Sequence, residues 1–543
     1  MKIEKIKTTP IDGQMPGTSG LRKKTRVFMK PQFLENFIQS TFDAIGGGTG
    51  KTFIIGGDGR YFNKDAIQTI IKIAAGNGAA DVIVGQNGIL STPAASHLIR
   101  LNKGDGGFIL SASHNPGGKD EDFGVKFNIQ NGGPAPEELT AKIFYATTTI
   151  DHYKIIKVDD IDLSKINTTH HGDMQIHVVD AIVEYQALME TLFDFAAIRA
   201  LFAGGFTMRF DAMHAVTGPY AKAILEDTLG ATAGTVVNGI PLEDFGKCHP
   251  DPNPIWAKGL IDFMMSDASP DMGAASDGDG DRNMIVGRKA YVSPSDSLAI
   301  LAANAHLAPA YCEGLVGIAR SMPTSAASDR VAENLGIASY ETPTGWKFFG
   351  NLLDAGKVTI CGEESAGTGS SHLREKDGLW AVLLWLNILA VRKQSVANIV
   401  ADHWNTFGRD YYSRYDFEAV ETQKANKMMG DLRGQLGKLV GQSHAGLIVT
   451  SADEFSYLDP VDGTISKNQG LRITFEGGGR AVFRLSGTGT QGATVRLYLE
   501  QYSGLSGNSG LDTQVALQTL RDAAFAVSSL ETTIGRTEPD VIT

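Results

Sequence analysis

The hydrophobic positions between residues 34 and 55 predict a helix followed by a strand. Leu34, Phe37, Ile38 and Phe42 recur at helical spacing, and Ile45 continues the same stripe. A glycine-rich break then leads into a continuous apolar run at 52–55, which is typical of a buried strand. This order of helix, turn and strand is expected in layered α/β folds.

The same kind of strand returns along the chain, and each copy ends in a polar, glycine-rich loop. The five segments are FIIGGDGR at 53–60, GFILSASHNPGG at 107–118, TMRFDAMHA at 207–215, GAASDGDGDR at 273–282 and VTICGEES at 358–365. Helical patterns such as AIQTIIKIAAGNG and GLWAVLLWLNILAVRK lie between them. The alternation predicts α/β layers with mostly parallel or mixed sheets. Ligands gather at strand ends in open α/β sheets, so each loop is a candidate wall of a site.

From about residue 408 the pattern changes. RITFEGGGRAVFRLSGTGTQGATVRLYLEQY predicts adjacent strands joined by glycine turns, and a helix follows from Val515 to Leu530. The chain has 543 residues, several times the size of one hydrophobic core. We therefore predict three α/β domains at 1–190, 191–302 and 303–406 and a smaller α+β domain at 407–543, with room for a large cleft between them.

Composition narrows the function classes. The chain has 42% hydrophobic and 20% charged residues, and none of its apolar runs approaches the roughly 20 residues that span a bilayer. We therefore do not expect it to be a membrane protein. The net charge of -12 opposes binding to nucleic acid, and any anionic ligand needs a local cationic pocket. The N-terminal charges have no apolar segment behind them, so we expect a cytoplasmic protein. Cys248, Cys312 and Cys361 are too few and too distant for a disulfide framework.

A glycine-rich segment at 46–52 imitates a phosphate-binding loop. Its first required glycine falls on Ile45, so the spacing is one residue short. The motif needs a strand before it and a helix after it, whereas the predicted order here is the reverse. An ordinary turn from helix to strand is the favoured interpretation.

Ser113 follows an apolar strand on the turn Ser111-Ala112-Ser113-His114-Asn115-Pro116-Gly117-Gly118. A serine beside an imidazole suggests nucleophilic catalysis. Adjacent residues on an extended chain point in opposite directions, however, and serine and asparagine also build ordinary turns. From the residues alone both interpretations stay open.

The loop Asp277-Gly278-Asp279-Gly280-Asp281-Arg282 places three carboxylates at alternate positions. The intervening glycines allow the backbone to curl so that all three face one point. Such hard oxygens suit a hard divalent cation, and Mg²⁺ is the expected ion. An EF-hand is excluded because its sixth and twelfth positions hold Arg282 and Arg288. A solvated acidic turn is the alternative.

Two further polar segments combine acceptors with cations. Glu363 and Ser365 follow the apolar run at 358–361, and Arg374 and Lys376 lie shortly after them, a combination that suits a polyol bearing phosphate. An exposed loop with surface ion pairs would explain this first segment almost as well.

The second segment offers hydroxyls, a flexible backbone and two guanidinium groups, which can wrap a phosphate in charge-assisted hydrogen bonds. An ordinary hairpin is its alternative. Its residues are Arg484, Ser486, Gly487, Thr488 and Arg496.

Together these segments resemble the α-D-phosphohexomutase family, specifically its glucose-phosphate members. The resemblance extends over most of the chain, with Ser111 in place of a common threonine and Ala366 in place of phenylalanine in some relatives. The additional matching stretches are PGTSGLRKK at 16–24, GILSTPAASHLIR at 88–100, DFGVKFNIQNGGPAPE at 122–137, FGKCHPDPNP at 245–254, TPTGWKFFGNLLDAG at 342–356 and SHLREKDGLWAVL at 371–383.

The resemblance implies four domains around a deep cleft, and it implies roles for individual residues. Ser113 would be a phosphoserine that also supplies a metal oxygen, with Asp277, Asp279 and Asp281 as the Mg²⁺ ligands. The groups around the transferring phosphate would be His114, Lys126, Arg22 and Arg282, with Lys126 a candidate for acid-base help. The sugar loops would contain Thr344, Gly345, Trp346, Glu363 and Ser365, and the second phosphate would bind Arg484, Ser486, Gly487, Thr488 and Arg496.

The implied reaction interconverts glucose 1-phosphate and glucose 6-phosphate through a glucose 1,6-bisphosphate intermediate. The partners would be small phosphosugars only, and the chain a monomer or weak dimer. A phosphomannomutase or dual-specificity enzyme is the nearest alternative, and GEESAGTGSSHLREKDG favours glucose because it resembles glucose-specific members. A silent phosphosugar-binding relative and a phosphatase with an aspartyl nucleophile are more distant alternatives, against which Ser113 and the three aspartates argue.

Overall fold

The computed structural model describes residues 2–17, 19–489 and 492–543, with side chains omitted at 487–489. Four sheets follow one another along the chain, so four domains are present, as predicted. Domain I has parallel strands at the centre of its sheet and antiparallel strands at the edges. In spatial order its strands are Leu21–Lys24, Asp122–Ile129, Gly106–Leu110, Thr52–Gly57, Asp81–Ile89, Met174–Val179 and Asn167–His171. A ribbon of Ile3–Lys7 and His152–Ile156 lies apart from this sheet.

Helices cover the domain I sheet, and their apolar stripes face it. The predicted helix and strand at the start of the chain are observed as Phe33–Ala44 and Thr52–Gly57, with only a turn between them. The resemblance of residues 46–52 to a nucleotide-binding loop is therefore misleading, as predicted. The helices of this region are Thr25–Phe28, Phe33–Ala44, Asn63–Gly76, Thr92–Leu101, Glu137–Thr149 and Ala181–Leu192.

Domains II and III repeat the mixed α/β arrangement with smaller sheets. Domain II has the strand order Val236–Val237, Met208–Asp211, Met272–Ser276, Asn283–Gly287 and Ala290–Val292, with helices Phe195–Ala203, Thr217–Ala221 and Lys258–Met265 and a π-helical turn Lys222–Thr228. Domain III has the strand order Ala338–Thr342, Gly317–Ser321, Ile360–Gly362 and Thr368–Ser370, with helices Pro294–Asn304, Ala327–Leu335, Trp346–Asp354, Gly378–Arg392 and Val396–Phe407.

Domain IV is an antiparallel sheet with helices on one face, the α+β unit that the glycine turns predict. Its strand order is Ser443–His444, Leu447–Glu454, Leu471–Phe475, Gly479–Gly489, Gly492–Tyr502, Asp410–Val420 and Val541–Ile542. The helices are Thr422–Leu439, Thr513–Ser528 and Leu530–Ile534, and Tyr457–Leu458 pairs with Ile465–Ser466 in a small ribbon.

One large apolar cluster passes through the first three domains. It contains Ile54 of domain I, Phe210 of domain II and Trp380 of domain III, all fully buried. Domain IV has its own apolar cluster, which includes Phe417 and Leu497. Domains I to III therefore form one block, and domain IV packs against it.

The predicted domain boundaries fall at or near helices. Residue 190 lies within Ala181–Leu192, residue 302 within Pro294–Asn304, and residue 406 one position before the end of Val396–Phe407. The boundary numbers themselves stay predictions.

Within the described residues, no single helix is long and apolar enough to cross a membrane. The helices Gly378–Arg392 and Val396–Phe407 pass that test only as a pair, and their axes bend by 85°.

Candidate active site

Ser113 lies just beyond the end of strand Gly106–Leu110, in a backbone conformation that few serines adopt. Its φ of 51° is left-handed, so the chain is not extended there, and the Ser113 Oγ and His114 Nδ1 come within 3.3 Å. The Ser113 N–H donates to the Ser111 hydroxyl at 2.7 Å. Arg60, itself paired with Asp58, donates to the Ser113 carbonyl at 2.8 Å. These contacts fix the serine backbone and leave its hydroxyl available for chemistry.

The aspartate loop of domain II meets this serine directly. The Ser113 hydroxyl donates to Asp277 Oδ2 at 2.9 Å. A Cβ on Gly278 would lie 2.3 Å from the Ser113 carbonyl oxygen, so only glycine permits this close approach. The loop is closed on itself because the N–H groups of Asp281 and Arg282 donate to Asp277 Oδ1 at 2.9 and 3.1 Å.

The three loop carboxylates form a buried triad that fits a divalent cation. Carboxylate oxygens of Asp277, Asp279 and Asp281 all lie within 4.8 Å of one another. The Oδ1 atoms of Asp279 and Asp281 are buried and find no hydrogen-bond partner among the described residues. Buried anionic oxygens without partners are costly unless a cation binds them. The donor set of three carboxylates suits a hard ion such as Mg²⁺.

The close approach of the three carboxylates also changes their pKa values. Burial, together with the charges of Asp281 and Asp279, raises the pKa of Asp277 well above its ordinary value. Burial also acts to raise the pKa of Asp279, but Lys126 and a 2.7 Å hydrogen bond from Thr92 lower it to about 2. The Thr92 hydroxyl therefore holds one ligand of the triad from the side of domain I.

Cations from several domains surround His114. Burial lowers the pKa of His114 well below its ordinary value, so the imidazole is neutral at pH 7. Four positive charges act in the same direction: Arg282, Arg22, Lys376 and Arg496. Lys376 Nζ is 3.0 Å from Asp281 Oδ2, which places a cation of domain III at the aspartate loop. The local group of cations that an anionic ligand requires is thus present in an acidic protein.

Lys126 enters the site from strand Asp122–Ile129 with a buried partner. Its Nζ donates to Glu375 Oε1 at 2.9 Å, and the Asn128 amide donates to the same oxygen at 2.9 Å. Burial raises the pKa of Glu375, although Lys126 and Asn128 oppose that effect. The ion pair joins domain I to domain III beside the aspartate loop.

The predicted sugar loops come together only in part. The Gly345 N–H donates to Glu363 Oε1 at 3.0 Å, where Gly345 has a φ of 129°. The loop at 363–367 closes on itself, since the Glu363 N–H donates to the Gly367 carbonyl at 2.8 Å. Ser365 is half-buried on this loop, and the Thr344 hydroxyl is buried without a partner among the described residues.

Two predicted residues have side chains that lie elsewhere. The Trp346 indole packs in the core of domain III against Phe349, with ring centroids 5.0 Å apart. The Arg374 guanidinium contacts Asp354 and donates to the carbonyls of its own turn. The structure thus places both side chains in domain III contacts and brings only their neighbours in sequence into the cluster.

The domain IV residues lie on one face of its sheet. Arg496 is the cross-strand partner of both Arg484 and Asp416, and Ser486 pairs with Thr494. Arg496 Nε is 3.5 Å from Asp416 Oδ2, whereas Arg484 donates to the Gln469 carbonyl at 3.2 Å. The side chain of Thr488 lies outside the part that the structure describes, and Gly487 has only its backbone to offer.

Several contacts were not anticipated from the sequence. Thr92, Glu375 and Asp416 each contact a predicted site residue across a long stretch of chain. Glu375 could have been inferred, because it stands between Arg374 and Lys376. Thr92 and Asp416 belong to no local motif, and only the tertiary fold brings them to the site.

A serine beside a buried carboxylate triad, ringed by cations from several α/β domains, defines an enzyme that handles phosphoryl groups. Family models match the chain from end to end: phosphoglucomutase/phosphomannomutase alpha/beta/alpha domains I, II and III at 13–154, 184–290 and 294–407, and a phosphoglucomutase-1 C-terminal domain at 409–540. The chain belongs to the phosphoglucomutase/phosphomannomutase family.

Full-length relatives agree with this assignment. A phosphoglucomutase of Rhizobium radiobacter is 60% identical over 541 residues, and the match covers all of both chains. A cytoplasmic phosphoglucomutase of Mesembryanthemum crystallinum is 51% identical over all of this chain and 99% of its own length. The crystal structure of the Paramecium phosphoglucomutase parafusin, in its open form, matches with a TM-score of 0.92 at 46% identity, covering 100% of this chain and 99% of that one. The predicted fold and enzyme class, an isomerase of the phosphoglucomutase type, are confirmed.

Proposed function

We propose that this chain interconverts glucose 1-phosphate and glucose 6-phosphate, with a phosphoryl group carried on Ser113. The observation that supports this most is the 2.9 Å contact between the Ser113 hydroxyl and Asp277 of the buried triad. It sets a nucleophilic oxygen against the carboxylates that would hold the metal. Phosphoryl transfer depends on positioning and charge neutralisation, and this arrangement offers both.

The triad and the phosphorylated Ser113 would hold Mg²⁺. A bound divalent cation neutralises charge on the transferring phosphoryl group. The residues around it have their own parts: Lys376 approaches Asp281, Thr92 holds Asp279, and the neutral His114 lies beside the serine oxygen.

The reaction has two transfers on the same serine. In the first, the free 6-hydroxyl of glucose 1-phosphate attacks the phosphorus on Ser113, the bond from phosphorus to the serine oxygen breaks, and the hydroxyl proton is passed to the serine oxygen. The product is glucose 1,6-bisphosphate. In the second, the serine oxygen attacks the phosphate at the 1-position, the bond to the sugar oxygen breaks, and that oxygen takes up the proton that the serine hydroxyl gives up. Glucose 6-phosphate leaves and Ser113 is again phosphorylated.

The surrounding residues fit this sequence. Lys126, held by Glu375, is the proposed proton carrier, and Arg22 and Arg282 would neutralise the transferring phosphate. Glu363 and Ser365 would bind sugar hydroxyls, with the backbone of 344–346 completing that wall. Arg496, Arg484, Ser486, Gly487 and Thr488 would bind the phosphate that is not transferring, at whichever end of the sugar it lies.

The remaining expectations follow from this proposal. The partners would be small phosphosugars, without nucleic acid or membrane, and the chain would act in the cytoplasm as a monomer or weak dimer. A phosphomannomutase is the alternative within the family, and the ratio of turnover on glucose 1-phosphate to that on mannose 1-phosphate distinguishes the two.

Intact-mass measurement tests the phosphoserine. After exposure to glucose 1,6-bisphosphate the protein should gain one phosphate, and peptide mapping should place it on Ser113. Addition of glucose 1-phosphate should exchange a labelled phosphate into sugar. A protein that shows mutase turnover while its Ser113 stays unmodified would contradict the proposal.

A further inference from the structure

A buried row of alternating charges connects the sugar loop of domain III with the phosphate arginine of domain IV. Glu364 Oε2 is 3.0 Å from Arg414 Nη1, Arg414 Nε is 3.1 Å from Asp416 Oδ1, and Asp416 Oδ2 is 3.5 Å from Arg496 Nε. We name these four side chains the charge row. Two carboxylates alternate with two guanidinium groups, so the charges of the row balance.

The register of the domain IV sheet brings three members of the charge row together. Arg414 and Asp416 are two residues apart on strand Asp410–Val420 and therefore project from the same face. Asp416 is directly opposite Arg496 on the neighbouring strand. Register thus fixes three members of the row, and only Glu364 comes from another domain.

The row is shielded from water over most of its length. The side chains of Glu364 and Asp416 are each 3% exposed and that of Arg414 is 11% exposed, whereas Arg496 at the end is 30% exposed. Ion pairs at such depth are weakly screened, so a change at one end alters the balance at the other. Asp416 has to divide its charge between Arg414 and Arg496.

The other end of the row is built into the sugar loop. Glu364 stands between Glu363 and Ser365, and its own N–H donates to the Thr324 hydroxyl at 2.8 Å. A shift of the loop when sugar hydroxyls bind would therefore move the Glu364 carboxylate relative to Arg414.

We propose that Glu364, Arg414 and Asp416 are positioning residues that couple the sugar loop to Arg496. This inference rests on the proposed function. While Glu364 is paired with Arg414, that arginine has two carboxylate partners and draws less on the charge of Asp416. Asp416 can then orient the Arg496 guanidinium toward phosphate. When Glu364 is neutralised, Arg414 competes for Asp416, and Arg496 loses its orienting partner.

The experiment compares Glu364→Gln with Glu341→Gln. Glu341 is a matched control because it also joins domains III and IV, through Arg472 and Arg480, and within the described residues no ion pair links either arginine to Arg496. We expect Glu364→Gln to raise both the KM for glucose 1-phosphate and the bisphosphate concentration for half-maximal turnover by about five- to tenfold. The kcat at saturating bisphosphate should change by less than about twofold. Glu341→Gln should leave these constants within about twofold of wild type.

A double variant tests the coupling. In an Arg496→Ala background the row has lost its end, so adding Glu364→Gln should change the constants by less than about twofold. An undiminished effect in that background, or equal effects of Glu364→Gln and Glu341→Gln, would overturn the inference. If Glu364→Gln does not fold, Asp416→Asn takes its place with the same expected non-additivity. Absence of mutase turnover in the wild type would instead overturn the proposed function.

Discussion

The hydroxyl of Ser113 and the carboxylate of Asp277 are in hydrogen-bond contact although 164 positions separate them in the chain. One belongs to a strand-end loop of domain I and the other to a strand-end loop of domain II. Their contact makes the serine and the carboxylate triad one site, and the first two predictions concern its two halves.

Ser113→Ala should lose nearly all mutase turnover, because the oxygen proposed to carry the phosphoryl group is absent. Ser113→Gly should be equally inactive, and its free energy of unfolding should be unchanged or higher by about 1 kcal/mol, since glycine adopts a φ of 51° without strain. Turnover assays and urea unfolding measure the two effects. Ser111→Ala, which removes the neighbouring hydroxyl, is the control and should keep far more activity. Turnover near the wild-type rate in Ser113→Ala would refute the role of the serine.

Asp279→Asn should weaken Mg²⁺ binding and abolish most turnover, because the triad loses one charge and one ligand oxygen. Calorimetric titration with Mg²⁺ should show one ion bound to the wild type and much weaker binding to the variant. Asp267→Asn, at an exposed carboxylate paired with Lys289, is the matched control and should bind like wild type. Full turnover in excess chelator would contradict the metal role.

Glu375→Ala should lower the free energy of unfolding by about 3 kcal/mol, because it leaves the Lys126 ammonium buried without its partner. A double variant, Lys126→Met with Glu375→Leu, removes both charges and should recover most of that stability. Activity should be low in both proteins, because Lys126, the proposed proton carrier, has lost the carboxylate that positions it in the first and is absent from the second. Urea unfolding and turnover separate the two effects. Turnover that recovers together with stability in the double variant would assign the pair a structural role only.

Arg496→Ala should weaken binding of glucose 1-phosphate and of the bisphosphate by about one to two orders of magnitude, the typical effect of losing a charge-assisted contact. The intermediate should escape more often and leave Ser113 without phosphate. Turnover should therefore depend more strongly on added glucose 1,6-bisphosphate. Identical curves of turnover against bisphosphate for wild type and variant would mean that this arginine has no part in the phosphate pocket.

Acid should destabilise the protein partly through His403. Burial, with repulsion from Arg392, lowers the pKa of His403 to about 4 in the folded state. The unfolded chain takes up the proton near its ordinary pKa of about 6.5, so stability is lost as the pH falls from about 6.5 to about 4, by on the order of 3 kcal/mol at most. His403→Leu should flatten the melting temperature over that range. His306→Gln, at an exposed histidine, should retain the wild-type slope, and equal slopes in all three proteins would exclude His403.

Short sequence motifs predict candidate site residues that the structure brings together. Ser113 lies in a short polar turn after a strand, and the three aspartates alternate with glycines after another strand. A search for short motifs in the sequence therefore finds them. The orientation of the Trp346 side chain could not be predicted in this way, because the indole packs into the core although the neighbouring sequence is polar. From the sequence, Arg374 is expected to be an unpaired cation beside Lys376. Tertiary packing instead brings it to hydrogen-bond acceptors that include Asp354.

The fold was predictable for a related reason. Hydrophobic periodicity specifies each helix and strand locally, as in the predicted helix observed at Phe33–Ala44. The charge row was not predictable, because its closest contacts depend on the register of two strands and on the docking of two domains. Nothing near Arg414 in the sequence indicates Glu364.

The apolar cluster shared by domains I to III has a consequence for biosynthesis. Ile54 is made early, but the helix Gly378–Arg392 that completes its surroundings leaves the ribosome only after most of the chain has been translated. Until then, apolar surface of the first domain stays uncovered and is available to chaperones or to other nascent chains. Domain IV, which closes its own cluster, can fold last without exposing the rest. Translation speed across the third domain should therefore govern the yield of folded enzyme more than translation speed across the fourth.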